Sequence, residues 1–264
     1  MRAVQAWAEA LAAWAIPEWI MAQAPESPWS FPTTTFVAAA LRAKAGALTP
    51  THLRALEALP AEGEVLDVGA GAGAASLPLG RRARGIVAVD QSSEMLEEMR
   101  RLGGPGLSLA AVQGVWPDIA SRVGSADVVI CANVAYNVPQ LDRFVLELTA
   151  HARSRVVLEL TERHPQSSVN WLWEHFWGLT RPEVPTALDA RRVVAEATGL
   201  EVGMESWEGR DVLEGGPDPQ LVAWIRRRLC LDPSRDQELA ELLASHPPDL
   251  PPRRVTLWWP GRAP

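Results

Sequence analysis

An α/β fold with a doubly wound, mostly parallel sheet is predicted for this chain of 264 residues by three observations. From Glu64 onward, short β-rich runs that are apolar on both faces alternate with helical patterns. A glycine-rich loop directly follows the first run. Acidic residues stand at or near the carboxyl ends of the first two runs, where ligands of parallel sheets bind.

Each element has its own justification. Val4, Trp7, Leu11 and Trp14 recur at helical steps, and Pro17 interrupts that helix. "APESPWSFPTT" reads as a connector before helices over 34–44 and 50–59, the second with Thr49 as N-cap and Pro50 in its first turn. "EVLDVG", "GIVAVD", "LSLAAVQG", "ADVVICAN" and "RVVLELT" read as five strands, with helices over 73–82, 92–102 and 140–152 between them. "TALDARRVVAEATG" reads as a helix capped by Thr186 and stopped by Gly199. "LEVGMESWEG" is a sixth strand. Helical patterns over 218–231 and 235–245 separate it from a last strand, "RVTLWWPG". The expected organisation is a helical extension or cap over 1–60 and a ligand-binding domain over 61–264, with a lid over 165–180 and a helical insertion over 217–246.

Composition narrows the function. The net charge of −7 argues against a general affinity for nucleic acid or anionic membrane. The densest basic run, "IRRRL" at 225–229, reads as a solvated helix face. Twelve Trp against four Phe and one Tyr suggest aromatic-lined surfaces or a pocket. Cys131 and Cys230 have no metal-ligand spacing and read as buried free thiols. No apolar stretch is long enough for a membrane span. "AQA" at 22–24 imitates a signal cleavage site, but Glu9 breaks the apolar run before it, so a cytoplasmic helix is expected.

The loop "VLDVGAGAGAAS" fits two chemistries. Gly69, Gly71 and Ala74 spell the GxGxxA form of a dinucleotide fingerprint. Gly69, Gly71 and Gly73 spell GxGxG with Asp67 two places ahead. Glycines let backbone amides approach a ligand closely, and a helix N-terminus behind them favours negative groups. Asp67 discriminates: a carboxylate beside a pyrophosphate is unfavourable, whereas a ligand carrying an ammonium welcomes it.

With Asp67, this loop, Asp90 and "VDQSSEML" together, residues 62–210 resemble the class I S-adenosylmethionine-dependent methyltransferases, whose first motif is a strand ending in (D/E)xGxGxG. The resemblance implies a Rossmann-like sheet of seven strands, the last antiparallel. It also implies S-adenosylmethionine as cofactor. Asp67, Gly69, Ala70, Gly71 and Gly73 would hold its methionine end, Asp90 both ribose hydroxyls, and Gln91, Ser92 and Met95 would flank ribose and adenine. The family often carries "GDA" after its third strand; here stand Gly114, Val115 and Trp116. The adenine carboxylate is missing, leaving Val115 beside the ring, Trp116 to stack over it, and Asp118 as a substitute acid.

Methyl transfer from a sulfonium is an in-line displacement that mainly needs an aligned nucleophile and exclusion of water. Asn133, Tyr136 and Asn137 follow the fourth strand, where Asn133 would meet the cofactor near its methyl and Tyr136 would line or orient the acceptor. His164, after the fifth strand, is a candidate general base because an unperturbed imidazole titrates near neutrality. Tyr136 and His164 are expected to face one cavity. Glu159, His164 and His175 could be assembled into a metal site, but without HExxH-like spacing none is expected. The aromatic run at Trp171, Trp173, Phe176 and Trp177 reads as core packing or as a lid over an apolar small-molecule acceptor. Two rival functions are a non-catalytic cofactor-binding protein and an NAD(P)-dependent oxidoreductase.

Overall fold

The computed structural model describes residues 2–29, 32–104, 106–209, 219–248 and 252–264. Ser30 and Phe31 of the predicted connector, and the start of the predicted insertion at 217–218, lie outside the described residues. Seven strands form one sheet: β1 (Gly63–Val68), β2 (Ala83–Asp90), β3 (Ser108–Gln113), β4 (Ala126–Ala132), β5 (Ala152–Thr161), β6 (Gly203–Trp207) and β7 (Arg254–Pro260). Their order is β3-β2-β1-β4-β5-β7-β6. The first five pair in parallel, and β7 runs antiparallel between β5 and β6. The order reverses between β1 and β4, so the loops after these two strands flank the crevice in which such sheets hold ligands.

Apolar residues on both faces of the central strands make two cores. Leu66, Val68, Val129, Val156 and Leu158 pack with helices α6 (Leu141–His151) and α8 (Ala187–Thr198), joined by Trp7 of α1 (Arg2–Ala12). Val65, Ile86, Val128, Ile130 and Val157 pack on the opposite face with α3 (Thr33–Ala45), α4 (Pro50–Ala58) and α5 (Ser93–Gly103). A third apolar cluster lies apart from the sheet. It joins α2 (Glu18–Met21), α7 (Asn170–Trp177), α9 (Pro219–Arg228) and α10 (Asp236–Ser245) through Ile20, Leu172, Trp173, Ile225 and Leu239. Trp173 is fully buried there, so that member of the aromatic run is core.

Capping follows the chemistry that predicted it. The Thr49 hydroxyl accepts from the His52 N–H, the His52 ring accepts from the Thr49 N–H, and Pro50 opens the helix. Thr186 and Asp189 form the equivalent box on α8, which Gly199 ends in the left-handed region. Such caps are worth about 1 kcal/mol each.

Three local expectations are corrected. The helix predicted over 73–82 is a run of turns ending in a 3-10 helix, Leu77–Arg81. Gly73 has φ +91 and donates to Ala70 O, and Pro78 has no N–H for a regular ladder. α1 ends at Ala12, so Trp14 lies beyond it, although its ring is buried. The basic run at 225–229 is not a solvated face. Arg226 and Arg228 are buried, and Arg226 pairs with Glu26 and Asp236.

Candidate active site

The glycine loop leaves β1 with positive φ at Gly69, Gly71 and Gly73, and the three are bare for different reasons. A Cβ on Gly69 would lie 2.3 Å from Val134 Cγ2, and one on Gly73 would lie 2.7 Å from Leu77 Cγ. Protein packing therefore accounts for both. A Cβ on Gly71 would meet only Phe36, at 3.9 Å. Among the described residues nothing else comes within 4 Å of that position, so the bareness of Gly71 serves backbone conformation and leaves room on its outer side.

Asp90 closes β2 and holds this loop. Its Oδ2 accepts the Gly71 N–H at 2.8 Å, and its Oδ1 accepts the Ser92 N–H at 2.9 Å. A carboxylate offers about four lone-pair sites, so two remain on this half-buried group. Ser92 itself caps α5 by accepting from the Met95 N–H, which puts Met95 in the first turn beside the loop. Gln91 is exposed, and its carbonyl accepts from the Gln113 side chain.

Asp67 lies beneath the loop. It has no exposed surface, accepts a short 2.5 Å hydrogen bond from Ser76, and leaves Oδ1 without a partner. Burial pushes its carboxyl up to about 7, opposed by the Ser76 bond and reinforced by Asp90. Enclosed in this way, Asp67 offers no oxygen to the surface above the loop.

Other sequence-predicted residues fall in different places. Val115 is exposed at the end of β3, but the Trp116 ring turns into the core, edge-on to His151, and its N–H reaches Phe144 O. This corrects the expectation that Trp116 covers an adenine, because the ring is consumed by packing under α6. Asp118 pairs with Arg143 on the surface. Asn133 is exposed and lies in the left-handed region at φ +61.

Tyr136 and His164 do come together, with ring centroids 5.2 Å apart. They meet edge to face and belong to an aromatic cluster of four rings. Trp7 stacks on Tyr136 at 5.5 Å, and Trp14 stacks on His164 at 3.7 Å. The Tyr136 hydroxyl donates to Thr161 O, and its acidity is pushed further down by burial. Burial, with the nearby charges of Arg181 and Arg228, depresses His164 to about 3. A neutral imidazole of that basicity is a poor proton acceptor at physiological pH, which corrects its reading as a general base near neutrality. His175 sits elsewhere, against Glu238. Among the described residues no three His, Cys, Asp or Glu side chains converge as metal ligands.

Three features of the site escape motif reading. α3 walls the loop through Phe36, and its ends are tied to α5 by Thr33–Glu94 and Lys44–Leu102 O bonds. His52 links the α4 cap to the loop, with its other ring nitrogen 3.2 Å from Ala74 O. Since the first nitrogen accepts from Thr49, the second carries the proton; burial lowers the basicity of this ring too. Arg254 reaches Asn133 from β7, 121 residues away in sequence. No local spacing signals that contact.

Comparison with known proteins decides between the chemistries that the loop allows. The family described as "Methyltransferase domain" matches residues 65–155, which run from β1 to β5 and hold the glycine loop, Asp90 and Asn133. The match covers well under half of the chain and supports the methyltransferase reading. Ribosomal RNA small subunit methyltransferase A of Desulforapulum autotrophicum is 29% identical over 107 residues, 38% of each chain, so the match spans well under half of that relative. Two solved structures share the fold. Magnesium protoporphyrin IX methyltransferase from Synechocystis PCC 6803 matches with TM-score 0.50 and 16% identity, over 87% of this chain and 83% of that one. The YcgJ protein from Bacillus subtilis matches with TM-score 0.51 and 18% identity, over 81% and 98%. The residues present fit the methyltransferase cofactor: one glycine open to the outside, a fixed carboxylate with spare acceptor sites, and a buried acid with an unpartnered oxygen beneath. No helix among the described residues is long and apolar enough to cross a membrane.

Proposed function

We infer that this chain transfers a methyl group from S-adenosylmethionine to a small-molecule acceptor. The observation that carries the reading is the open face of Gly71 above the Asp90 carboxylate, in a loop whose other two glycines are filled by protein. When bound, the cofactor supplies a methyl group activated on a sulfonium. The Gly69–Gly73 loop, Ala70 included, and Asn133 would hold its methionine end, with Asp67 contributing negative potential from below. Asp90 would accept the ribose hydroxyls, and Gln91, Met95 and Val115 would border ribose and adenine. The chain's part in catalysis is then alignment and exclusion of water, which can supply on the order of 7–11 kcal/mol without a base. Tyr136 would shape the acceptor side through the Thr161 carbonyl it holds, with His164 packed behind it.

A small acceptor is supported by the net charge of −7 and by a basic run whose Arg226 and Arg227 are already paired with Glu26. A nucleic-acid acceptor is the second reading, favoured by the ribosomal-RNA relative. Calorimetry with S-adenosylhomocysteine and with NADH separates methyl transfer from oxidoreduction. Labelled-methyl transfer to host metabolite extract and to host ribosomal RNA separates the acceptors. Label in small molecules alone supports the first reading, and label in RNA overturns it. Tight S-adenosylhomocysteine binding without transfer to either fraction would favour a non-catalytic cofactor-binding protein.

A further inference from the structure

The loop after β4 carries a second constellation. Left-handed Asn133 is held in an uncommon conformation by its N–H, which donates to Glu159 O at 2.9 Å, and by its Oδ1, which accepts from Arg254 Nη1 at 2.5 Å. The same Nη1 lies 3.2 Å from Glu159 Oε1. The next residue, Val134, packs against Gly69, so the Arg254 guanidinium stands at the loop that borders the proposed cofactor site. Arg254 opens β7 opposite Thr161, the residue whose carbonyl receives the Tyr136 hydroxyl.

The pairing is lopsided. An arginine that serves only structure gains most by pairing two nitrogens edge to edge with a carboxylate. Here a single nitrogen serves both protein acceptors. Nε and Nη2 have no acceptor among the described residues, and the side chain retains 27% of its exposure. The edge they form lies toward Gly209, just past β6, where an added Cβ would stand 3.4 Å from Nε.

We propose that Arg254 is a specificity-determining residue that binds a carboxylate on the acceptor through its Nε–Nη2 edge, with Asn133 and Glu159 fixing the guanidinium. The proposal rests on the methyl-transfer reading above and names the acceptor class. A carboxylate suits the edge because its two oxygens match two parallel donors. Glu159 offsets part of the arginine's charge, which favours a single negative charge over a doubly charged phosphate. The cofactor's own carboxylate has the same chemistry, so the test separates the two sources.

Calorimetry on the full chain, with and without saturating S-adenosylhomocysteine, would use acetate, benzoate and indole-3-carboxylate against their amides. The expected result is that at least one carboxylate binds and its amide binds about tenfold or more weakly. Arg254→Gln should cost the carboxylate about tenfold or more, the scale of a charge-assisted bond, and move S-adenosylhomocysteine affinity by less than about twofold. Arg254→Lys, which keeps the charge without the fork, should recover only part. Carboxylate binding that is undetectable, or unchanged in Arg254→Gln, overturns the proposal. A parallel tenfold loss of S-adenosylhomocysteine affinity overturns it too, assigning the edge to the cofactor. Should Arg254→Gln fail to fold, Arg254→Lys carries the comparison. If the wild type binds no S-adenosylhomocysteine, the methyl-transfer reading fails, while the measurements without it still judge Arg254.

Discussion

Asp90 and Gly71 are joined by a 2.8 Å hydrogen bond from the glycine N–H to a carboxylate oxygen, so the acid that ends β2 also sets the shape of the loop that follows β1. Its second oxygen fixes Ser92 at the start of α5. Three segments of the proposed cofactor site thus converge on one side chain.

Asp90→Ala should weaken S-adenosylhomocysteine binding by roughly tenfold to more than a hundredfold, because bonds to a charged acceptor contribute about 1.5–3 kcal/mol. The variant also releases the Gly71 amide, so Asp90→Asn, which keeps one acceptor oxygen, should lose less. Calorimetry on folded variants checks both. Equal affinity in wild type and Asp90→Ala removes the ribose assignment.

The three loop glycines should separate in mutagenesis. Gly71→Val should fold and lose cofactor binding, since among the described residues only Phe36 lies near the added side chain. Its φ of +52 will cost some stability. Gly69→Val and Gly73→Val should instead destabilise the whole protein, because their Cβ atoms would sit 2.3 Å and 2.7 Å from Val134 and Leu77. Thermal melts paired with S-adenosylhomocysteine calorimetry resolve the two effects. Normal binding by Gly71→Val would make the loop a structural turn only.

Much of this arrangement was legible in the chain because it is local. The strands read clearly since both faces are apolar, and Asp67, Gly69, Gly71 and Asp90 lie within one β-loop-α-β step whose spacing is fixed by geometry. What stayed hidden is contact across distance. Nothing near Arg254 announces that it reaches Asn133, and nothing near Thr33 or Phe36 places α3 over the glycine loop. Nothing near Trp14 announces that it stacks at 3.7 Å on His164, the residue read as a candidate base, whose basicity burial lowers. The helix expected over 73–82 failed for a local reason that composition obscured, since Gly73 and Pro78 act against a regular ladder amid residues that otherwise favour one.

Asp67 should make the ligand-free protein lose stability as pH rises. Its folded value of about 7 lies above the ordinary 3.8, so the folded state binds the extra proton between these limits. Stability is then fullest below about pH 4, falls as pH rises toward 7, and levels off above it. At about 1.4 kcal/mol per pH unit over roughly three units, the cost is on the order of 4 kcal/mol. Asp67→Asn should remove this dependence and be the more stable form at pH 8. Denaturant melts at pH 5 and pH 8 compare the two. Identical pH dependence in both proteins would show that Asp67 is ionised throughout.

His164 predicts a dependence of opposite sign. Its folded value of about 3 lies below the ordinary 6.5, so stability is present above pH 6.5 and is lost as pH falls toward 3. Protonation would place a charge in an aromatic stack that already faces Arg181 and Arg228. Nuclear magnetic resonance should accordingly find the His164 ring neutral and unchanged from pH 8 to pH 5. Once an acceptor is identified, turnover should show no acid limb near pH 6–7 that belongs to this residue. His164→Phe, which keeps a flat ring against Trp14, should preserve S-adenosylhomocysteine affinity and retain most activity, whereas His164→Ala should lower the melting temperature by leaving Trp14 and Tyr136 without the ring between them. An acid limb near pH 6–7 in wild type that disappears in His164→Phe, together with a large loss of turnover at full cofactor affinity, would restore the imidazole as a base. It would also require that the stack open when the acceptor binds, because only release from Trp14 and from burial could return His164 to the basicity that proton transfer needs.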